Sequence, residues 1–243
     1  MIGPNGRAFA RGRWAAAAVT ALIFGLLSVA VGAQDKEKAT TAEAVTDQVQ
    51  EFYKNMRDYQ ARFEQIYTDV AAGKDSSSGG RVYFKKAGKM RWDYLNADAN
   101  QKSLHKVLVS NGSEFTIYEA EHDQYYRQCL RDSKLPTALR FLMGTGDLKE
   151  EFDIKMGKKA SAGTHKLELT PKKSSGKYKK IIFVVDAETY SVRETLVYDP
   201  YSNINRIIFH KPLINKNLPD SGFNFSPPKN ARPLGDTKEL KCD

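Results

Sequence analysis

Apolar and polar residues follow two different periods along the chain, and the first is helical. Apolar residues recur every three or four positions between residues 41 and 57, at Val45, Val49, Phe52, Tyr53 and Met56. This spacing is typical of one face of an α-helix. Thr40 and Glu43 stand three positions apart at its start, as in a capping box. The pattern predicts a helix of about four turns over about 41–57.

The period then shortens to two, which is the period of a β-strand. Alternating segments predict strands over 63–70, 80–85, 89–95, 106–110, 114–119, 124–129, 152–156, 165–170, 179–186, 191–198 and 203–210. Residues 73–80 contain glycines and three serines, which predicts a loop. Short strands at regular intervals, joined by tight turns, favour an antiparallel barrel or sandwich.

A second helix interrupts this β pattern. It is predicted to open at Leu135-Pro136, with Leu139, Leu142 and Met143 apolar and Gly144 as its C-terminal stop. Because it lies midway through the strands, we expect it to pack over the sheet as part of a cover. The predicted fold class is therefore mainly β with helices, an α+β arrangement.

The N-terminus has the layout of a signal peptide. Arg7, Arg11 and Arg13 precede the apolar residues 15–31, and Val31-Gly32-Ala33 is a small-residue cleavage site. The alternative is an uncleaved anchor, for which this run is at the short edge of membrane-spanning length. We expect a signal peptide over 1–33, a flexible leader over 34–40, one domain over 41–234 and a tail over 235–243.

Charge and candidate chemistry narrow the function classes. Cleavage after residue 33 removes three arginines and takes the formal net charge from +9 to +6. That surplus is compatible with a nucleic-acid binder, but the lysines fall mostly in turns and beside strand residues, as on a solvated face. The four histidines, at 105, 122, 165 and 210, show no metal-ligand spacing. No complete catalytic motif is present, so the sequence favours a protein that is not an enzyme and needs no cofactor.

The two cysteines, Cys129 and Cys242, are a candidate disulfide pair. Export would take them to an oxidising compartment, where disulfides persist. Neither lies in a Cys-x-x-Cys pattern, which argues against a redox or zinc site.

The predicted strands share one large apolar face. Met90, Trp92 and Tyr94 point to one side of their strand, while Arg91 and Asp93 point to the other. Other strands repeat this alternation at Phe115 and Ile117, at Ile181, Phe183 and Val185, and at Ile207 and Phe209. From the residues alone, two interpretations stay open, an ordinary packed core and a ligand cavity.

Several segments, read in order, resemble the outer-membrane lipoprotein carrier family, LolA. The resemblance covers about 45–234 and rests on the segments that begin at Tyr59 (YQARFEQ), Gly80 (GRVYFKK), Met90 (MRW), Val107 (VLVSNG), Leu167 (LELTPK) and Phe223 (FNFSPP). It implies an incomplete antiparallel β-barrel covered by a helical lid. It also implies a periplasmic carrier, a lipoprotein chaperone that moves acylated lipoproteins from an inner-membrane ABC transporter to an acceptor at the outer membrane, such as a receptor.

On this resemblance, the apolar face becomes an acyl-chain cavity. Its predicted lining is Phe63, Phe84, Met90, Trp92, Tyr94, Leu108, Phe115, Ile117, Leu139, Leu142, Ile181, Phe183, Val185, Ile207 and Phe209. Family members often have an arginine that helps to hold the lid closed, and Lys86 occupies that position here. Lysine lacks the planar donor fork of arginine, so a latch at Lys86 would be weaker or differently made. The alternative function is a related periplasmic lipid sensor or regulator of the same fold.

We predict that residues 1–33 are removed on export and that the product is a periplasmic monomer. Intact mass of the protein from the periplasmic fraction, together with its elution volume in gel filtration, tests this. Recovery of the full-length chain from the membrane fraction would contradict it.

Overall fold

The computed structural model describes residues 40–96, 103–132, 141–142, 146–174, 176–235 and 240–242. The predicted signal peptide lies outside these ranges, as does all of the predicted leader except Thr40. Within them, no helix has the length and apolar character needed to span a bilayer.

Two α-helices and twelve strands have complete bounds within the described residues. The helices are α1 (Ala42–Asn55) and α2 (Leu148–Glu151). The strands are β1 (Asp58–Asp69), β2 (Lys74–Lys85), β3 (Lys89–Leu95), β4 (Leu104–Asn111), β5 (Glu114–Glu119), β6 (Gln124–Cys129), β7 (Phe152–Met156), β8 (Thr164–Pro171), β9 (Lys180–Asp186), β10 (Val192–Tyr198), β11 (Ile204–Ile214) and β12 (Arg232–Leu234).

Helix α1 forms where the apolar period predicts it, but its cap differs by one residue. The side-chain oxygen of Thr41, not Thr40, accepts a hydrogen bond of 3.1 Å from the backbone N–H of Ala44. Thr41 has the extended backbone that an N-cap residue needs. The buried side of the helix carries Val45, Val49 and Tyr53, so the predicted face is the one that packs.

All twelve strands join one open sheet. Its order is β12-β6-β5-β4-β3-β2-β1-β11-β10-β9-β8-β7. Strand β1 lies near the middle, with one meander, β2 to β6, on one side and another, β11 back to β7, on the other. The β12–β6 pair is parallel, and the remaining pairs are antiparallel. Within the described part of the chain the edge strands β7 and β12 do not pair with each other, so the sheet is open. The twelve strands confirm the prediction of a mainly β fold.

The loop predicted over 73–80 is wrong, because most of these residues belong to β2. Strand β2 pairs with β1 in continuous register from Asp58 opposite Lys85 to Asp69 opposite Lys74. Gly80 is required by a close approach and not by a turn, since a Cβ there would lie 1.8 Å from the carbonyl oxygen of Asp93. The serines before it lie on an exposed, polar part of the hairpin.

The described residues between 215 and 242 leave β11 and return across the sheet face opposite α1; we call them the C-terminal strap. The buried carboxylate of Asp58 fixes its start, accepting hydrogen bonds of 2.8 Å from the N–H of Lys216 and 2.9 Å from the N–H of Asn217. Lys85 and Lys89 then pair with Asp220 at 2.6 and 2.8 Å. The strap therefore starts from a buried charge that binds backbone N–H groups.

The far part of the strap is held by apolar packing and by a covalent bond. Phe223 is buried, and the ring of Phe225 lies 5.8 Å from that of Tyr118, in a small second cluster on this face. Beyond β12, a disulfide joins Cys242 to Cys129 at the end of β6. The candidate disulfide pair named from the sequence thus ties the C-terminal tail to the end of β6.

We predict that Asp58→Ala lowers the free energy of unfolding by about 2 kcal/mol, because two backbone donors lose a charged acceptor. The matched control is Asp75→Ala, at an exposed position of β2, which should change it by less than about 0.5 kcal/mol. Urea denaturation of both variants measures the difference. Equal stability of the two would show that Asp58 does not anchor the strap.

Candidate functional site

The predicted cavity residues gather on one face of the sheet. We call it the inner face; it carries Met90 and Trp92, while the outer face carries Arg91 and Asp93. Of the fifteen predicted residues, fourteen belong to a single apolar cluster on this face. The remaining one, Leu139, lies outside the described residues. The alternating apolar residues of strands that are far apart in sequence therefore lie on one surface.

Most of these side chains are removed from solvent. The buried ones are Phe63, Phe84, Met90, Trp92, Phe115, Leu142, Ile181, Phe183, Val185 and Phe209. Four others, Tyr94, Leu108, Ile117 and Ile207, are partly buried and pack against them. The inner face in this conformation is therefore a packed apolar layer.

Trp92 lies at the centre of an aromatic group. Its ring centroid is 4.8 Å from that of Phe63, 5.7 Å from that of Phe84 and 6.2 Å from that of Phe209. The indole is almost completely buried, yet its Nε1–H has no hydrogen-bond partner among the described residues. Buried donors are nearly always satisfied, so this one calls for an explanation.

Helix α1 and the helical residues Phe141 and Leu142 pack against the inner face. The ring of Phe141 lies 4.9 Å from that of Tyr53 in α1 and 6.0 Å from that of Phe183 in β9. Phe141 thus contacts both the helix and the sheet. The rest of the second helix predicted from sequence lies outside the described residues.

Polar contacts hold α1 on the sheet. The Tyr53 hydroxyl accepts a hydrogen bond of 3.2 Å from the N–H of Val192, and Gln50 Oε1 accepts one of 2.7 Å from the N–H of Leu148. Lys149 of α2 pairs with Asp47 of α1 at 2.5 Å. These are few bonds beside the apolar contact, so packing of the apolar face dominates the attachment.

The inner face keeps its titratable groups neutral. Burial raises the pKa of Tyr53 and that of Tyr59 far above the usual range of a phenol, and it raises the pKa of Tyr94 to about 12. Among the described residues, no group of three His, Cys, Asp or Glu is arranged to hold a metal ion. This surface can therefore offer apolar area and single hydrogen bonds.

Sequence reasoning missed several members of the same cluster. Tyr53, Tyr59, Phe141, Leu167 and Leu169 belong to it. The alternation of Leu167 and Leu169 along their strand was a usable signal, since both point to one face. For Phe141 no comparable signal existed, because its contacts depend on how its segment folds back over the sheet.

Lys86, the candidate latch, reaches the helix that covers the inner face. Its ammonium donates a hydrogen bond to the carbonyl oxygen of Lys54 in the last turn of α1, and its backbone N–H donates to the carbonyl oxygen of Arg57 at 3.1 Å. Carbonyl oxygens at a helix C-terminus are unpaired and carry partial negative charge, so a cation is favourable there. Lys86 thus links the β2 end to the C-terminus of α1.

The class defined by this geometry is a mainly β protein that presents one apolar sheet face beneath a helix. The chain belongs to the family described as outer membrane lipoprotein carrier protein LolA, which matches residues 54–226. It is 25% identical over 190 residues to the outer-membrane lipoprotein carrier protein of Dechloromonas aromatica (strain RCB), covering 78% of this chain and 87% of that one.

Two further proteins are similar to this chain, one in sequence and one in fold. The outer-membrane lipoprotein carrier protein of Cupriavidus pinatubonensis (strain JMP 134 / LMG 1197) is 27% identical over 197 residues, covering 79% of this chain and 88% of its own. A crystal structure of an uncharacterized conserved protein from Thermus thermophilus shares the fold, with a TM-score of 0.51 and 14% identity over 79% of this chain and 98% of that one.

We predict that Lys86→Met weakens the last turn of α1 by about 0.3–1 kcal/mol, because a cation is lost from the helix C-terminus. Hydrogen exchange of the amides of residues 52–56 should become faster. Lys86→Arg should restore their protection, and Lys74→Met, at an exposed position near the hairpin turn, is the matched control. Unchanged hydrogen-exchange rates in the Lys86→Met variant would show that Lys86 does not help to attach α1 to the sheet.

Proposed function

We propose that this protein is a periplasmic carrier that binds the acyl chains of lipoproteins on its inner face and moves them from the inner to the outer membrane. The observation that carries the proposal is the single apolar cluster in which fourteen of the predicted cavity residues pack together with residues of α1. Family membership supports the same function. A carrier needs neither catalytic residues nor a cofactor, in keeping with a face built from apolar side chains.

The inner face has the chemistry that an acyl chain requires. Each methylene exposed to water costs about 0.8 kcal/mol, so a long chain leaving a membrane needs a substitute apolar surface worth roughly 10 kcal/mol. Phe183, Ile181 and Trp92 supply such a surface. Because these side chains are packed in the present conformation, cargo entry requires the cover to move.

The cover provides the means of release. In the proposed cycle, α1 and the helical residues Phe141 and Leu142 act as the lid, and they compete with acyl chains for the same apolar side chains. This competition lowers the net affinity for cargo, so the chains can pass on to an acceptor. Lys86 acts as a latch at the C-terminus of the lid helix, and its single ammonium holds the lid closed in the empty protein.

The unpaired indole N–H of Trp92 suggests where the polar end of a chain lies. Ester and amide carbonyls of an acylated lipoprotein accept hydrogen bonds, and a carbonyl at this place would satisfy the buried donor. The proposed cargo therefore matches the inner face both in its apolar area and in this one polar group.

The proposed partners follow from the same carrier function. Acylated lipoproteins are the cargo, an inner-membrane lipoprotein-releasing ABC transporter loads it, and an outer-membrane acceptor, such as a receptor, receives it. The protein acts as a monomer after removal of residues 1–33. Nucleic acid is not among the proposed partners.

We predict that Trp92→Glu blocks loading while the domain stays folded. A carboxylate on the inner face must either stay ionised at a cost of several kcal/mol or take up a proton, and both reduce the affinity for acyl chains. Capture of lipoproteins released from spheroplasts measures loading, and thermal melting of the same purified variant measures folding.

Trp92→Phe is the matched control, because it keeps an aromatic ring, and it should retain most of the loading. A folded Trp92→Glu variant that captures lipoproteins at the wild-type level would contradict the proposed site. If the Trp92→Glu variant does not fold, Trp92 is a residue of an ordinary hydrophobic core and not part of a ligand site. Copurified lipoproteins would separate a carrier from a lipid sensor of the same fold.

A further inference from the structure

Two arginines face each other on the outer face of the sheet, away from the proposed cargo site. Arg62 of β1 lies directly opposite Arg81 of β2 in the register, and both side chains are exposed. Like charges directly opposite each other on neighbouring strands destabilise a sheet. The pair therefore reduces stability, which makes a role in binding worth testing.

The acidic side chains nearest in the register are already engaged. Asp93, opposite Arg81 on β3, pairs with Arg91 at 2.8 Å. Glu64, two residues after Arg62, lies 3.6 Å from Nε2 of His210. Among the described residues, Arg62 and Arg81 form no ion pair, so both guanidinium groups keep their donors for an outside acceptor.

A strained bulge brings a third cation to the same place. Between Gln60 and Arg62 of β1 the register with β11 slips by one residue, and Lys211 adopts a left-handed backbone with φ of 48°. Such a conformation is unfavourable for a residue with a side chain, and bulges are common beside functional sites. The bulge allows His210 and Lys211, consecutive in sequence, to line one groove.

The groove has apolar walls as well as cations. Its volume is about 290 Å³, and Tyr83 and Leu213 line it together with the three cations. Leu213 is 48% exposed, so its side chain is available for apolar contact at the groove. A ligand that fits this lining carries several negative charges and an apolar group close to them.

We propose that this outer-face groove docks an extended, acidic segment of a partner protein, with carboxylates on Arg62 and Arg81 and an apolar side chain against Leu213. Arginine binds carboxylates through two parallel hydrogen bonds. Some other cations on the sheet are paired with acids, as Arg206 is with Glu194 at 2.8 Å. Three cations and the exposed Leu213 line one groove, and this combination fits an acidic peptide with apolar side chains better than a broad anionic membrane surface.

The test uses the full mature protein and a fluorescein-labelled peptide of alternating glutamate pairs and leucines, measured by fluorescence anisotropy at low salt. The charge-reversal variant Arg62→Glu/Arg81→Glu should bind the peptide at least about tenfold more weakly. The matched control, Lys158→Glu/Lys173→Glu, changes the charge equally in exposed turns beside β8 and should bind within about twofold of the wild type. A glutamine version of the peptide should not bind.

Stability gives an independent readout, because Arg62→Gln relieves the repulsion between the arginines. Its thermal midpoint should equal or exceed that of the wild type while its peptide affinity falls. Equal affinity of the charge-reversal and control variants, or no peptide binding by the wild type, would overturn the proposal. Binding to phosphatidylglycerol vesicles without binding to the peptide would overturn it in favour of a membrane surface. Lipoprotein capture by these variants should stay normal, since the groove lies on the face opposite the cargo site.

Discussion

The structure depends on covering one large apolar face of an open sheet. A sheet of twelve strands buries its inner side chains only if another element packs over them, because an open sheet cannot close on itself. Among the described residues, α1, Phe141, Leu142 and Leu148 of α2 pack against that face. Apolar packing between these residues and the sheet is therefore the interaction on which the inner face depends.

Part of the outer face is also covered by a second element, but that element is attached in a different way. The C-terminal strap covers part of it, fixed by the buried carboxylate of Asp58 and by the bond from Cys242 to Cys129. These attachments are ionic and covalent, whereas α1 is held mainly by apolar packing. The two layers therefore differ in how they are held to the sheet.

The sequence predicts those features of the fold that depend on local patterns, and it misses those that depend on contacts between distant strands. Strands β3, β5, β6 and β7 have the bounds expected from alternation alone, because a period of two reports one buried face. The glycines at the end of the serine-rich stretch were misread as a loop, since the carbonyl of Asp93 that demands Gly80 comes from another strand. Strand β12 was missed because it is short, contains Pro233 and pairs in parallel with a distant strand.

In the candidate site, too, some features follow from local sequence patterns and others depend on contacts between distant residues. Met90, Trp92 and Tyr94 could be assigned to one face because they alternate along a single strand. Their assembly with Phe183 and Phe209 in one cavity was implied only by the resemblance to a family, because the residues alone left a packed core and a ligand cavity both open. The opposition of Arg62 and Arg81 depends on register, and the unpaired N–H of Trp92 on three-dimensional packing, so neither can be read from the sequence.

The most direct test of the central claim is photo-crosslinking with a triacylated lipopeptide that carries a diazirine within an acyl chain. After loading and irradiation, mass spectrometry of the digested protein locates the labelled residues. We expect labels on inner-face side chains such as Met90, Trp92 and Phe183. Labels confined to the outer face, or a protein that takes up no lipopeptide, would contradict the proposed cargo site.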